Sequence, residues 1–279
     1  MRIGDIELHI VTDGTFRLDG GAMFGVIPKP MWERKSPPDE RNRILLSMNC
    51  LLIRVGKELI LVETGAGEKW DEKRRAIYAI ETGNRLLDQL AARGVKPEDV
   101  TLVINTHLHF DHCGWNTRIV NGASVPTFPN ARYFVQRGEI EHARQPTERD
   151  RASYFPENYE PMEKSGQWTL LDGDAEIVPG VSVVLLPGHT QHLQGVKLQS
   201  GGKSALFLTD LVPTTAHIPL PWIMGYDLFP MTTLENKKKW LPRLAREEWL
   251  CLFAHDPKVP AAYLRERNGH LEAEPVTVD

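Results

Sequence analysis

Four chelating side chains stand within six residues, His107, His109, Asp111 and His112, in the run Thr106-His107-Leu108-His109-Phe110-Asp111-His112-Cys113-Gly114. A lone histidine at the end of a strand is usually a hydrogen-bonded structural residue. Four such groups together reverse that expectation, because packing them uncharged and unpaired would be expensive. On a strand-to-helix turn, His107 and His109 can point to one ion while Asp111 and His112 face a second. Imidazole and carboxylate donors without thiolate suit zinc best, with manganese, iron or cobalt as alternatives. Two ions held roughly 3.5 to 4 Å apart need about three protein ligands each and a group that bridges them. The cluster supplies only part of that set.

The missing groups sit where other strands should end. The apolar run at residues 100–104 leads into the cluster, and three later runs each deliver one candidate ligand. Residues 181–186 end at Pro187-Gly188-His189, residues 205–208 at Thr209-Asp210, and residues 249–254 at His255-Asp256. His189, Asp210 and His255 bring the count to seven.

The remaining elements frame these ends. Ile6, Leu8 and Ile10 share one face of a strand. Residues 48–55 and 59–62, separated by Gly56-Lys57-Glu58, read as a β-hairpin that places Glu63 at the end of a buried strand. A helix is predicted over 82–93, with Leu86, Leu87 and Leu90 on one face, Gly94 as its stop and Pro97 beyond. Residues 131–135 form another short strand. A helix capped by Thr232 and Glu235 continues through Trp240, Leu241 and Leu244, and Pro242 should kink or split it. Residues 13–43 are rich in glycine and proline yet carry Phe16, Met23, Phe24, Met31 and Trp32, so they read as a long loop packed onto the body. Residues 139–166 lack clear periodicity and read as helical fragments plus loop, a flap over one end of the sheet. Buried strands alternating with helices in both halves imply an α/β fold, a four-layer αββα sandwich. The whole chain, 1–279, reads as a single domain in which the 13–43 loop and the 139–166 insertion flank the candidate metal site.

Composition narrows the partners. The 279 residues carry 33 Lys and Arg against 37 Asp and Glu, a net charge of -4 that gives no reason to expect nucleic acid or an anionic membrane. No apolar stretch approaches the ~20 residues that span a bilayer. The first residues read as a strand and not as a signal peptide, and a cytoplasmic location is the simplest expectation. Cys50, Cys113 and Cys251 are too widely spaced for a disulfide framework or a thiolate zinc site.

The pattern His107-x-His109-x-Asp111-His112, followed by His189, Asp210 and His255, resembles the metallo-β-lactamase superfamily. The resemblance implies an αββα fold with two divalent metal ions between two sheets. It implies that His107, His109 and His189 hold one ion, that Asp111, His112 and His255 hold the other, and that Asp210 bridges both. Redox flavo-diiron members carry glutamate at the position of His109, so this chain resembles the hydrolytic members. The commonest di-zinc β-lactamases carry cysteine at the position of Asp210, which argues against antibiotic hydrolysis of that kind. Residues 18–32 are similar to the N-terminal segment of YtnP-type quorum-quenching lactonases, which open the ring of N-acyl-homoserine lactones. In the mechanism expected for such a centre a metal-bridging hydroxide attacks the lactone carbonyl, and Asp111 is the best candidate to move a proton. The resemblance also makes Met23 and Phe24 walls of an acyl pocket and the N-terminal segment a homodimer contact.

Departures from the pattern are specific. Pro213 stands where better-studied lactonases place a tyrosine that binds the lactone carbonyl, and Tyr226 is the candidate to replace it. Glu63 occupies the place of a usual aspartate. His192 and His217 are left outside the ligand set. The alternative reading keeps the metal centre and takes a phosphotriester, an aryl ester or another lactone, as in methyl parathion hydrolases. Thioester hydrolysis of the glyoxalase II kind and a non-catalytic scaffold are weaker rivals, the latter because all seven ligands are present.

Overall fold

The computed structural model describes residues 1–81, 83 and 85–277. Two seven-stranded sheets form the body. The first runs in the order Arg2–Ile3, Ile6–Asp19, Arg43–Val55, Glu58–Val62, Leu102–Ile104, Arg132–Gln136 and Trp168–Leu171. The second runs Ala175–Val178, Val181–Leu185, Gln194–Ser200, Lys203–Phe207, Leu250–Leu252, Ala261–Arg267 and His270–Pro275. The predicted hairpin is present, with Leu51 opposite Val62 and Val55 opposite Glu58.

Period-two patterning explains the layers. Ile6, Leu8, Leu51, Ile53, Ile60 and Val62 from the first sheet bury against Val183, Val196, Ala205, Phe207 and Leu252 from the second. The opposite face of the first sheet packs Leu52, Leu61 and Val103 against the helices Arg85–Ala91 and Arg137–Arg144, through Leu86, Leu90 and Ile140. The outer face of the second packs Leu206 and Cys251 under Trp240, Leu241 and Leu244 of the helix Pro230–Arg246. The four-layer αββα sandwich follows from these three cores.

Several local expectations change. Residues 13–43 are not one long loop. The strand Ile6–Asp19 absorbs Asp13 to Asp19 across a register shift between Thr12 and Thr15, and the short helices Gly20–Phe24 and Lys29–Trp32 follow. Pairing with Ile44, Leu46 and Ser47 supplies hydrogen bonds that outweigh the turn-like composition around Gly14. The helix Pro230–Arg246 starts at Phe229 without a side-chain cap, so Thr232 and Glu235 lie inside it, and it runs through Pro242 as one element. The helix expected over 82–93 is seen as Arg85–Ala91, and Thr82 lies outside the described residues. Residues 139–166 form helical fragments joined by loop. Among the described residues no helix is long and apolar enough to cross a membrane.

Candidate metal centre

The parallel strands Glu58–Val62, Leu102–Ile104 and Arg132–Gln136 end on one edge of the body, as do Lys203–Phe207 and Leu250–Leu252 in the other sheet. Such carboxyl ends are where open α/β sheets leave a crevice. His107 and His109 follow Leu102–Ile104, while Asp111 and His112 lie on the short helix Phe110–Cys113. Main-chain bonds knit the two sheets at this edge. Ser47 N donates to His255 O, Asn49 N to Ala254 O, and Gln194 N to Thr106 O. Two backbone positions show how tightly the edge is built. Gly188 has φ +148°, and a Cβ there would collide with Thr233; Gly65 has φ +61° and would collide with Asp13.

The seven candidate ligands come together, all buried. Three groups have ligand atoms within 4.8 Å of one another: His107, His109 and His189; His107, His112 and Asp210; and Asp111, His112 and His255. Asp210 lies between the two outer trios. Its Oδ2 is 3.1 Å from His189 Nε2, 3.5 Å from His112 Nε2 and 3.8 Å from His107 Nε2, and its Oδ1 is 3.1 Å from His255 Nε2. Asp111 Oδ2 is 3.6 Å from His255 Nε2 and 3.7 Å from His112 Nε2.

These groups fit divalent cations. His107 Nε2 and Asp210 Oδ1 are buried without a well-formed hydrogen bond, a costly state for lone pairs shielded from water. His109 Nδ1 faces His189 Nε2 at 3.0 Å, and His112 Nε2 faces His255 Nε2 at 3.1 Å. Imidazole nitrogens that approach one another this closely converge on a shared point, and a nitrogen and oxygen donor set without sulfur suits zinc-like ions. Electrostatics agree with a site built for positive charge. Burial and the neighbouring imidazoles hold His107 and His109 well below the usual histidine range. Burial also opposes charge on His112, but Asp111, Asp210 and Glu63 outweigh it and raise its pKa. Burial would lift Asp210, yet His112, His255 and His189 hold it well below the carboxylate range.

Second partners fix the imidazoles. His189 Nδ1 lies 3.0 Å from Asp227 Oδ1, whose other oxygen accepts from Thr233 Oγ1 at 2.6 Å. His255 Nδ1 donates to Ser47 O at 2.8 Å, and His107 Nδ1 lies 3.1 Å from Thr106 Oγ1. Glu63, at φ +63°, accepts from Thr106 N through Oε1 and places Oε2 3.6 Å from His112 Nδ1. The longer side chain thus still reaches a candidate ligand. Glu139 joins the two halves: its Oε1 accepts from Leu108 N and Tyr154 Oη, and its Oε2 from Thr190 Oγ1. Sequence reasoning missed both: Glu139 sits in the charged run 137–144 that reads as solvated surface, and Asp227 is a lone carboxylate in a loop with no periodic signal.

Above the cluster opens a cavity of about 380 Å³. Leu18, Met23, Phe110, Met224 and Leu228 supply apolar wall, and Tyr78, Arg149, Asp150 and Tyr226 polar edges. Met23 and Tyr226 both line this cavity. Phe24 does not: its ring is stacked between His217, at 4.7 Å, and Trp32, at 5.3 Å, and contributes to the core beneath the wall. His217 is a buried neutral spacer, with Nε2 2.9 Å from Met23 O and Nδ1 2.8 Å from Thr214 Oγ1. His192 joins none of the ligand groups and packs over Gly138, where a Cβ would strike its ring. Tyr78, packed on Phe110 at 5.1 Å, is a cavity hydroxyl that the sequence did not reveal.

The comparisons agree with this geometry. The family model described as the metallo-beta-lactamase superfamily matches residues 44–255. An N-acyl homoserine lactonase from a Bacillus species is 30% identical over 221 residues, 74% of this chain and 80% of its own length. Another from Bacillus cereus is 28% identical over 228 residues, 77% of this chain and 83% of its own. A solved structure of a probable metal-dependent hydrolase from Staphylococcus aureus is 29% identical with a TM-score of 0.91, covering 100% of both chains. With two buried sheets, a seven-group cluster on their shared edge and a family match over most of its length, the chain belongs to the metallo-beta-lactamase superfamily.

Proposed function

We propose that the chain is a dinuclear metal-dependent hydrolase that opens the lactone ring of N-acyl-homoserine lactones, the described residues acting as one hydrolase unit. The observation that carries this reading is an apolar-walled cavity with the seven-group cluster at its base. Lactonase activity in the Bacillus relatives supports it. His107, His109 and His189 would hold one ion, Asp111, His112 and His255 the other, and Asp210 would span both. Two such ions, zinc by donor chemistry, would supply Lewis acidity toward the ester carbonyl and a water whose pKa is lowered to about 7.

The chain's own residues do the rest. Leu18, Met23, Met224 and Leu228 exclude water from around an acyl chain and orient the ring over the cluster. Tyr78 and Tyr226 border the same cavity and offer hydroxyl donors in place of the tyrosine displaced by Pro213. Ring opening adds water to the carbonyl carbon and breaks its bond to the ring oxygen, which leaves as an alkoxide in need of a proton. Asp111 faces the cavity and carries that proton, while Asp210 fixes the imidazoles around it.

The test is a panel on metal-loaded protein. Acyl-homoserine lactones of several chain lengths, an aryl ester and a phosphotriester are compared by kcat/KM, with ring opening followed by acid release. Lactones should lead. Ring opening no faster than the blank overturns the assignment, and a phosphotriester lead moves the chain to that chemistry.

A further inference from the structure

A second cavity, of about 580 Å³, shares no lining residue with the first. It lies between Arg17 and Leu45 of the first sheet, the loops 214–219 and 256–259, and the edge strand His270–Pro275. Its volume is in the range of small-molecule sites, roughly 300 to 1,000 Å³. Leu45, Ala216, Ile218, Pro219, Val259 and Leu271 give it an aliphatic floor without aromatic rings.

Charge around this floor is one-sided. Arg17, Lys35 and Lys258 line it, and among the described residues none of the three forms an ion pair. Arg17 donates to Arg43 O, and Lys35 lies 5.6 Å over the Trp222 ring. Two carboxylates are also present. Asp256 is buried and spent on structure, with Oδ2 taking Thr215 N and Thr215 Oγ1 and Oδ1 taking Lys258 N and Val259 N. That leaves exposed Glu272 as the one uncommitted anion against three cations.

We propose that this cavity binds an amphipathic carboxylate, its saturated chain on the aliphatic floor and its head among Arg17, Lys35 and Lys258. An aliphatic floor favours a flexible chain over a planar ring. One arginine lines the cavity, and the first amide of the short turn Thr215–His217 at its rim is already taken by Asp256 Oδ2, whereas phosphate recognition favours bidentate arginine or a free helix N-terminus.

The experiment titrates sodium octanoate into the metal-loaded chain carrying labelled methyl groups, without any lactone, so that the outcome is independent of the lactonase reading. Leu45, Ile218 and Leu271 methyls report this cavity, while Met23 and Met224 methyls report the metal-centre cavity separately. Octanoate should shift the first set saturably, and octanol should bind at least several-fold more weakly. Lys35 and Lys258 are exposed, so Lys35→Glu with Lys258→Glu should fold normally and weaken octanoate in this cavity about tenfold. Three results overturn the proposal: octanol binding as tightly as octanoate, silent Leu45 and Ile218 methyls, or a dimer by sedimentation that the double variant dissolves.

Discussion

Glu139→Ala should loosen the metal centre without touching a ligand. Glu139 lies on the helix Arg137–Arg144, is fully buried and, among the described residues, has no cationic partner. Three neutral donors hold it instead: Leu108 N at 3.1 Å, Tyr154 Oη at 3.0 Å and Thr190 Oγ1 at 2.8 Å. Leu108 sits between His107 and His109, and Thr190 follows His189, so one carboxyl group ties three of the candidate ligands from both halves of the chain. Alanine leaves all three donors buried. An unsatisfied buried donor costs about 1–3 kcal/mol. The two hydroxyls can rotate toward other acceptors and the Leu108 amide cannot, and removing a buried charge relieves some desolvation. The net loss is therefore about 3 kcal/mol, near the low end of the three-donor sum.

For a chain of this size that corresponds to a fall in Tm of roughly 6–12 °C, at about 2–4 °C per kcal/mol. Glu139→Gln keeps an acceptor for Leu108 N and Tyr154 Oη and turns its amide toward Thr190, so it should lose about a third as much. The decisive readout is metal affinity, measured by competition with a chromophoric chelator. Misplaced imidazoles should weaken zinc by about 10–100-fold in the alanine variant and far less in the glutamine variant. An alanine variant with unchanged zinc affinity refutes the reasoning, as does a glutamine variant that loses as much as alanine.

Three further outcomes are expected. Asp227→Ala removes the acceptor beside His189 Nδ1; on the proposed dinuclear reading it should weaken one of two zinc-binding steps by about 10–100-fold, visible as a split in a chelator titration. Asp210→Ala should leave at most one tightly bound ion per chain by elemental analysis, and metal addition should raise its Tm less than that of the wild type. His217 is buried and its pKa is lowered from 6.5 to about 4, so the unfolded chain binds more protons between those values and stability falls as pH drops through that window. The loss is roughly 3 kcal/mol at about 1.4 kcal/mol per pKa unit. Denaturant curves at pH 7, 5.5 and 4 should show a shallower decline for His217→Gln; parallel declines would refute it.

What the sequence makes legible here has a physical pattern. A nitrogen and oxygen donor set gathered at or just beyond strand ends is conspicuous in a sequence, so the candidate ligands His107, His109, Asp111, His112, His189, Asp210 and His255 are marked by both type and position. The sandwich is legible for a similar reason, since a strand that faces another sheet has to alternate or run apolar, as residues 48–55 and 181–186 do. The groups that aim the ligands obey no such double constraint. Asp227 needs only a carboxylate within reach of His189, and its place in a loop 38 residues along the chain gives no periodic signal. Phe24 shows the converse: an aromatic residue in a segment next to a pocket can serve it from beneath. It is stacked between His217 and Trp32, and the same His217 contacts the carbonyl of Met23, its neighbour in the chain. The lining of the cavity is thus decided one layer deeper than residue type alone can tell. On the proposed lactonase reading, variation at Phe24, His217 or Trp32 should change the ratio of kcat/KM between short- and long-chain acyl-homoserine lactones although none of the three lines the cavity, and an unchanged ratio would refute it.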